Sequence, residues 1–169
     1  MKNSVSLPIA GLIVFAALAN AQTDPKPIAI HEHEISGVDV ALLDVSRTGA
    51  ETVTVKWEYR NKTKAPIPLA DKSNGWSDPY RLSWSTYLTD EETNAKFPVL
   101  KDSGGAPIAA VQGKVFDKIV LGTVKPLKNW AKYHVPANVK KVTVVITGVE
   151  PFERVAVGEL LLDSPPPRD

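Results

Sequence analysis

The clearest pattern of hydrophobic and polar positions lies in residues 52–60, where apolar and polar side chains alternate. The apolar positions, which share one face of an extended strand, are Val53, Val55, Trp57 and Tyr59. This period of two predicts a half-buried antiparallel strand. An aliphatic and β-branched run at residues 38–45 precedes it, and the polar stretch between the two runs contains Gly49. Together the two runs predict a β-hairpin.

Similar short apolar runs continue to the end of the chain and predict further strands. They cover residues 80–89 and 96–100, which the polar break at residues 90–94 joins into a second predicted hairpin, and residues 129–135, 141–147 and 152–157, with one or two more strands within residues 108–124. Residues 61–79 contain three prolines and a glycine, which predicts a long exposed loop. No window beyond the first 21 residues has helical periodicity with start and stop signals.

These elements predict an all-β protein. About seven to nine short strands with regularly spaced turns are typical of an immunoglobulin-like antiparallel β-sandwich. A single sheet closed into a cylinder has the same spacing and stays an alternative. We place the sandwich at residues 38–160, after an extended leader at residues 22–37. A proline-rich tail at residues 161–169 follows it.

The first 21 residues have the anatomy of a signal peptide. Lys2 provides the positive start, residues 7–18 are apolar, and Ala19-Asn20-Ala21 is a small-x-small cleavage site. The apolar stretch is shorter than the roughly 20 residues of a membrane-spanning helix. We therefore expect cleavage after Ala21, no stable membrane anchor, and a product in the periplasm or outside the cell.

Charge and cysteine content exclude several classes of function. The formal net charge of the whole chain is only +1, so no strong basic field attracts nucleic acid. The chain has no cysteine. Thiol catalysis, disulfide exchange and cysteine metal sites are therefore excluded.

Three stretches together resemble a known family. They are residues 55–61 (VKWEYRN), residues 87–102 (YLTDEETNAKFPVLKD) and residues 142–153 (VTVVITGVEPFE). They are similar to exported bacterial immunoglobulin-like domains, and more distantly to the secreted immunoglobulin-like antigens of mycobacteria. The resemblance spans about residues 38–157 and implies a β-sandwich exported from the cytoplasm. Its motifs describe strand pairs and turns, so it implies no activity and no functional residues.

The run IHEHEI at residues 30–35 is the main candidate for metal chemistry. In an extended strand His31 and His33 point the same way, roughly 7 Å apart, and two imidazoles so placed can bind one copper or zinc ion. Two ligands do not complete a zinc site, which needs three or four. The alternative is a solvated polar segment, and we prefer it with no cofactor.

Signals for catalysis are weak. The acidic turn at residues 90–92 could supply calcium ligands or a carboxylate pair, but it lacks the ordered spacing of a calcium loop. His134 has no serine motif near it to form a nucleophilic site. We therefore predict that the protein is not an enzyme.

The tryptophans indicate where the core and a contact site lie. Trp57 and Trp84 both fall in predicted strands and are expected in the core. Trp76 lies in the proline-rich loop with Tyr80 close by, and loops on rigid β-scaffolds commonly carry recognition. The sequence thus predicts a non-catalytic binding or structural domain of the bacterial envelope or secretome. Trp76 and Tyr80 would contact a partner protein or envelope component, and copper or zinc binding at the histidines is the alternative function.

Overall fold

The computed structural model describes residues 26–70, 78–113 and 118–160. These residues form β-strands and no helix, so the predicted all-β class is confirmed. The strands are β1 (Ala29–Glu32), β2 (Val38–Gly49), β3 (Thr52–Asn61), β4 (Ile67–Ala70), β5 (Tyr87–Asp90), β6 (Lys96–Pro98), β7 (Ile119–Leu121), β8 (Leu127–His134), β9 (Lys141–Val145) and β10 (Phe152–Ala156). The described residues contain no helix with the length and apolar character needed to cross a bilayer.

The strands pair into two four-stranded antiparallel sheets and one two-stranded sheet. The first sheet has the order β1-β2-β3-β8, the second has the order β10-β9-β5-β6, and β4 pairs with β7. Three of the pairings, β3 with β8, β5 with β9 and β4 with β7, join strands that are far apart in the chain. Residues of both four-stranded sheets contribute to one hydrophobic core, so the two sheets share an interior.

The hairpin predicted from the strongest alternation is formed by β2 and β3, where Val45 lies opposite Val55. Trp57 is fully buried and lies in the same core as Leu88 and Phe152 of the second sheet. Burial of a large apolar side chain contributes roughly 1.5–3 kcal/mol. The buried residues of β3 therefore hold the two sheets together. The hairpin predicted near residues 90–94 is also present, as β5 and β6.

Part of the loop predicted at residues 61–79 is instead a strand. β4 pairs with β7, and the pairing is irregular between Pro68 and Ala70, as expected where a proline cannot donate to the ladder. The prediction missed this strand because its partner, Ile119–Leu121, is remote in the chain. Residues 71–77 of the predicted loop lie outside the described residues.

The strand predicted at residues 80–89 begins only at Tyr87. The amides of Ser83 and Trp84 both donate to the Tyr80 carbonyl, at 2.8 and 3.0 Å, so a turn replaces the first half of the strand. The predicted core position of Trp84 is therefore wrong. Its side chain is 46% exposed, because the turn lifts it out of the alternation.

The segment predicted as an extended leader contributes to the fold through β1, an edge strand of the first sheet. His31 lies opposite Val40 of β2. Just beyond β1, His33 forms an isolated antiparallel bridge with Val149, and the Glu34 amide donates to the Gly148 carbonyl at 2.7 Å. Because Val149 lies between β9 and β10, this segment connects one edge of the first sheet to the second.

Candidate functional site

One turn between β4 and β5 presents two aromatic rings to the surface. The carboxylate of Asp78 accepts a hydrogen bond from the Tyr80 amide at 2.8 Å, which starts the turn. The Trp84 amide then donates to the Tyr80 carbonyl, which closes one α-turn. Side chains four residues apart in such a turn lie on the same side of it. Tyr80 and Trp84 consequently line the same groove.

Buried hydrogen bonds attach this turn to the first sheet. The hydroxyl of Ser83, which is fully buried, donates to Oδ1 of Asn129 at 2.8 Å. The side-chain amide of Asn129 donates to the Leu82 carbonyl at 3.3 Å, and the Gln112 amide donates to the Pro79 carbonyl at 2.7 Å. Buried polar groups that are paired in this way hold a segment in one position. The half-buried Tyr80 ring and the exposed Trp84 ring therefore stand on a rigid support.

Residues 98–107, which run from the last residue of β6 into the segment before β7, form the opposite wall of the groove. Their local hairpin is closed by Asp102, whose Oδ1 accepts the amides of Gly104 and Ala106, both at 2.9 Å. Gly105 has a φ of +84°, a conformation that suits glycine. The cavity has a volume of about 440 Å³, and we refer to it as the Trp84 groove. It is lined by Asp78, Tyr80, Trp84, Pro98, Val99, Lys101, Gly105 and Pro107.

The Trp84 groove contains one of the two residues predicted to contact a partner. Tyr80 lines it while also packing against the core. Trp76, the other predicted contact, lies outside the described residues. Trp84 was missed because the sequence places it in an apolar run. The available signal was the Asp78-Pro79 pair, which favours a turn and puts Tyr80 and Trp84 at a spacing of four.

The two histidines of the predicted metal site lie on the same side of the chain, and both are half-buried. Nδ1 of His31 is 2.9 Å from the Glu150 carbonyl oxygen, and its ring stacks on Phe152 with the centroids 4.2 Å apart. Since a carbonyl only accepts, Nδ1 of His31 carries the proton. Nδ1 of His33 instead accepts the Ile35 amide at 2.9 Å, so this nitrogen has none.

These opposite tautomers bear on metal binding, because a metal ion needs an imidazole lone pair. His31 has its Nε2 lone pair for a ligand, whereas His33 uses its Nδ1 lone pair for the Ile35 amide. An ion bound through Nδ1 of His33 would displace that hydrogen bond. In the described ranges no cluster of three histidines or carboxylates surrounds a possible ion. Copper or zinc binding at His31 and His33 stays a prediction from the sequence.

His33 lies beside a small cavity of about 140 Å³, in which Glu34, Tyr59 and Arg81 are the other titratable or charged groups. Burial is the largest influence on its pKa and lowers it. The Glu34 carboxylate and a hydrogen bond with the Thr147 backbone raise the pKa less. The ring also packs edge-on against Tyr59, with the centroids 5.8 Å apart. The folded protein therefore favours the neutral imidazole, in agreement with the hydrogen bond from Ile35.

We expect the free energy of unfolding to fall as the pH decreases below about 6.5, the ordinary pKa of histidine. Below this pH the His33 side chain of the unfolded chain binds a proton, whereas His33 of the folded protein binds one only at lower pH. The stabilisation that is present above pH 6.5 is therefore lost as the pH falls toward the lowered pKa of folded His33. One group changes the stability by at most about 1.4 kcal/mol per pH unit.

Urea unfolding between pH 5 and 8 measures this effect, with His33→Asn as the matched control. The asparagine side chain can accept the Ile35 amide in an Asx-turn and does not titrate. Other titrating groups act in both proteins, so the difference between the two isolates His33. A difference that stays constant across the pH range would contradict the expected role of His33.

The carboxylates of the acidic turn after β5 form local hydrogen bonds. Asp90 accepts a hydrogen bond from the Thr93 hydroxyl, which lowers the pKa of Asp90. Glu91 accepts from the Thr143 hydroxyl and from the Arg154 amide, both at 2.7 Å, and these bonds lower its pKa. Two of the acids considered as calcium ligands thus stabilise the turn and its contact with β9 and β10.

No protein-family model, curated protein or solved structure matches this chain. The fold and the site themselves define a class: an all-β protein with two antiparallel sheets around one core and an exposed aromatic groove at the edge.

Proposed function

We propose that this protein is an exported binding domain that carries out no reaction. It contacts a protein or another component of the bacterial envelope or secretome through the Trp84 groove. The observation that carries the proposal is Trp84, nearly half exposed beside Tyr80 in a mainly apolar cavity. Large aromatic side chains in pockets of this kind dominate the energetics of many interfaces. Trp76 stays a further predicted contact.

The architecture we propose is an immunoglobulin-like β-sandwich. Two four-stranded antiparallel sheets share a core, and non-consecutive strands lie side by side in both sheets. A tryptophan on a central strand, Trp57 of β3, is fully buried between the layers. These features are typical of immunoglobulin-like sandwiches, whose loops commonly carry recognition on a rigid scaffold.

Export is supported by the signal-peptide pattern of residues 1–21. On this proposal the chain is cleaved after Ala21, has no lasting membrane anchor, and works in the periplasm or outside the cell. The low net charge supports a partner other than nucleic acid. A binding role is favoured over catalysis because Nδ1 of His33 and the carboxylates of Asp90 and Glu91 all accept hydrogen bonds from neighbouring groups of the fold.

Affinity capture from a bacterial envelope extract tests the proposal, with the mature chain, Trp84→Ala and Trp130→Ala compared side by side. Trp130 is the matched control, because it is also a partly exposed tryptophan, at 38%, but lies on β8 outside the groove. We expect Trp84→Ala to lose at least one captured component that the other two proteins retain. Identical captured components for all three proteins would contradict binding through the groove.

A further inference from the structure

The chemistry of the Trp84 groove restricts what it can bind, provided that the groove is the contact site proposed above. Its walls consist mainly of two aromatic rings, two proline rings and one valine. Among the described residues, the charged side chains that line it are Asp78 and Lys101, which have opposite signs. The volume of about 440 Å³ lies within the range of roughly 300–1,000 Å³ that is usual for ligand sites.

This lining suits some envelope ligands poorly. A saccharide carries many hydroxyl groups, and each hydroxyl buried without a partner costs roughly 1–3 kcal/mol. Pro98 and Pro107 have no amide to donate, and Val99 has an apolar side chain. A groove of this composition can stack against rings but offers few hydrogen-bond partners to hydroxyl groups.

A proline-rich peptide avoids this cost. Proline presents an apolar ring and has no amide hydrogen to leave unpaired. In the polyproline II conformation the backbone is extended before binding, so little conformational entropy is lost, and aromatic grooves are the usual receptors for it. Tyr80 and Trp84 are four residues apart in one α-turn, about 6 Å along its axis, so a single extended ligand can contact both rings.

We infer that the Trp84 groove binds a proline-rich segment of a partner protein in the polyproline II conformation. The proline rings pack against Trp84 and Tyr80, and the opposite wall is provided by Pro98 and Pro107. Asp78 and Lys101 place one charge of each sign at the groove, where they can pair with charged residues that flank the prolines.

Calorimetric titration of the full chain with a nonaproline peptide tests this inference. We expect saturable binding, weakened about thirtyfold by Trp84→Ala and unchanged by Trp130→Ala. A peptide in which alternate prolines are alanine is expected to bind more weakly, because it is less extended and presents fewer rings. Circular dichroism confirms that both variants remain folded.

Three results would overturn the inference. They are the absence of heat with nonaproline, equal affinity of Trp84→Ala, and stronger binding of a neutral oligosaccharide that is lost in Trp84→Ala. Residues 165–167 of this chain are themselves prolines. A variant with alanine at these three positions is expected to bind nonaproline at least as tightly as the unaltered chain does, because the groove is unchanged. Loss of binding in this variant would mean that nonaproline binds the tail and not the groove.

The titration and the affinity capture can fail separately. If Trp84→Ala loses a captured component while nonaproline gives no heat, the groove is a contact site but its ligand is not proline-rich. If neither experiment depends on Trp84, both the inference and the proposed function are wrong.

Discussion

Replacing Trp57 with alanine is expected to lower the free energy of unfolding by about 3–5 kcal/mol. Trp57 is fully buried in the core between the two sheets, so the change removes its contacts and leaves a cavity. Single domains have total stabilities of roughly 5–15 kcal/mol, so this loss is a large fraction. Trp84→Ala is expected to cost about 1 kcal/mol or less, because Trp84 is 46% exposed.

Equilibrium unfolding in urea, followed by circular dichroism, measures both variants against the unaltered chain. The pair is informative because both substitutions remove the same side chain, and both positions were expected in the core from the sequence. Comparable losses for the two variants would mean that Trp84 is also a core residue. That result would remove the basis for the Trp84 groove.

The second large effect is expected from Asn129→Leu, which keeps the size of the side chain and removes its polar atoms. Asn129 accepts from the Ser83 hydroxyl at 2.8 Å and from the Trp130 amide at 3.0 Å, and it donates to the Leu82 carbonyl. Each buried group left without a partner costs about 1–3 kcal/mol. We expect a loss of about 3 kcal/mol in unfolding free energy.

Asn129→Leu should also weaken ligand binding, because Ser83 and Leu82 belong to the turn that presents Tyr80 and Trp84. Gln112→Leu is the control. Gln112 is also buried, and among the described residues its side-chain amide donates to the Lys128 carbonyl and to Oδ1 of Asn129, both at a long 3.4 Å, so we expect a smaller loss of stability and intact binding. Equal stability losses would show that Asn129 has no special role. Intact binding by a folded Asn129→Leu variant would show that the network does not position the rings.

The candidate site was only partly predictable from the sequence. Tyr80 was chosen because an aromatic residue near a proline-rich loop is a common contact, and it does line the Trp84 groove. Trp84 is expected in the core on the sequence alone because it falls in the strand predicted at residues 80–89. The decisive contact, from Ser83 to Asn129, joins residues that no local pattern relates. The wall formed by residues 98–107 meets the turn only after folding.

The surroundings of His33 were likewise only partly predictable from the sequence. The sequence places two histidines on one side of a strand, and that is how they lie. Their tautomers depend on the Glu150 carbonyl and on the Ile35 amide. Burial beside Tyr59 then lowers the pKa of His33 below the ordinary value of a histidine.

The all-β class, the β2–β3 and β5–β6 hairpins and the burial of Trp57 follow from the sequence pattern alone. Alternation with a period of two and turn residues between neighbouring strands are local properties, readable without knowing any distant contact. No local pattern predicts the pairing of β3 with β8 and of β4 with β7, the exposure of Trp84 or the shape of its groove. These features depend on contacts between segments far apart in the chain, and a side chain is buried only where such a segment covers it.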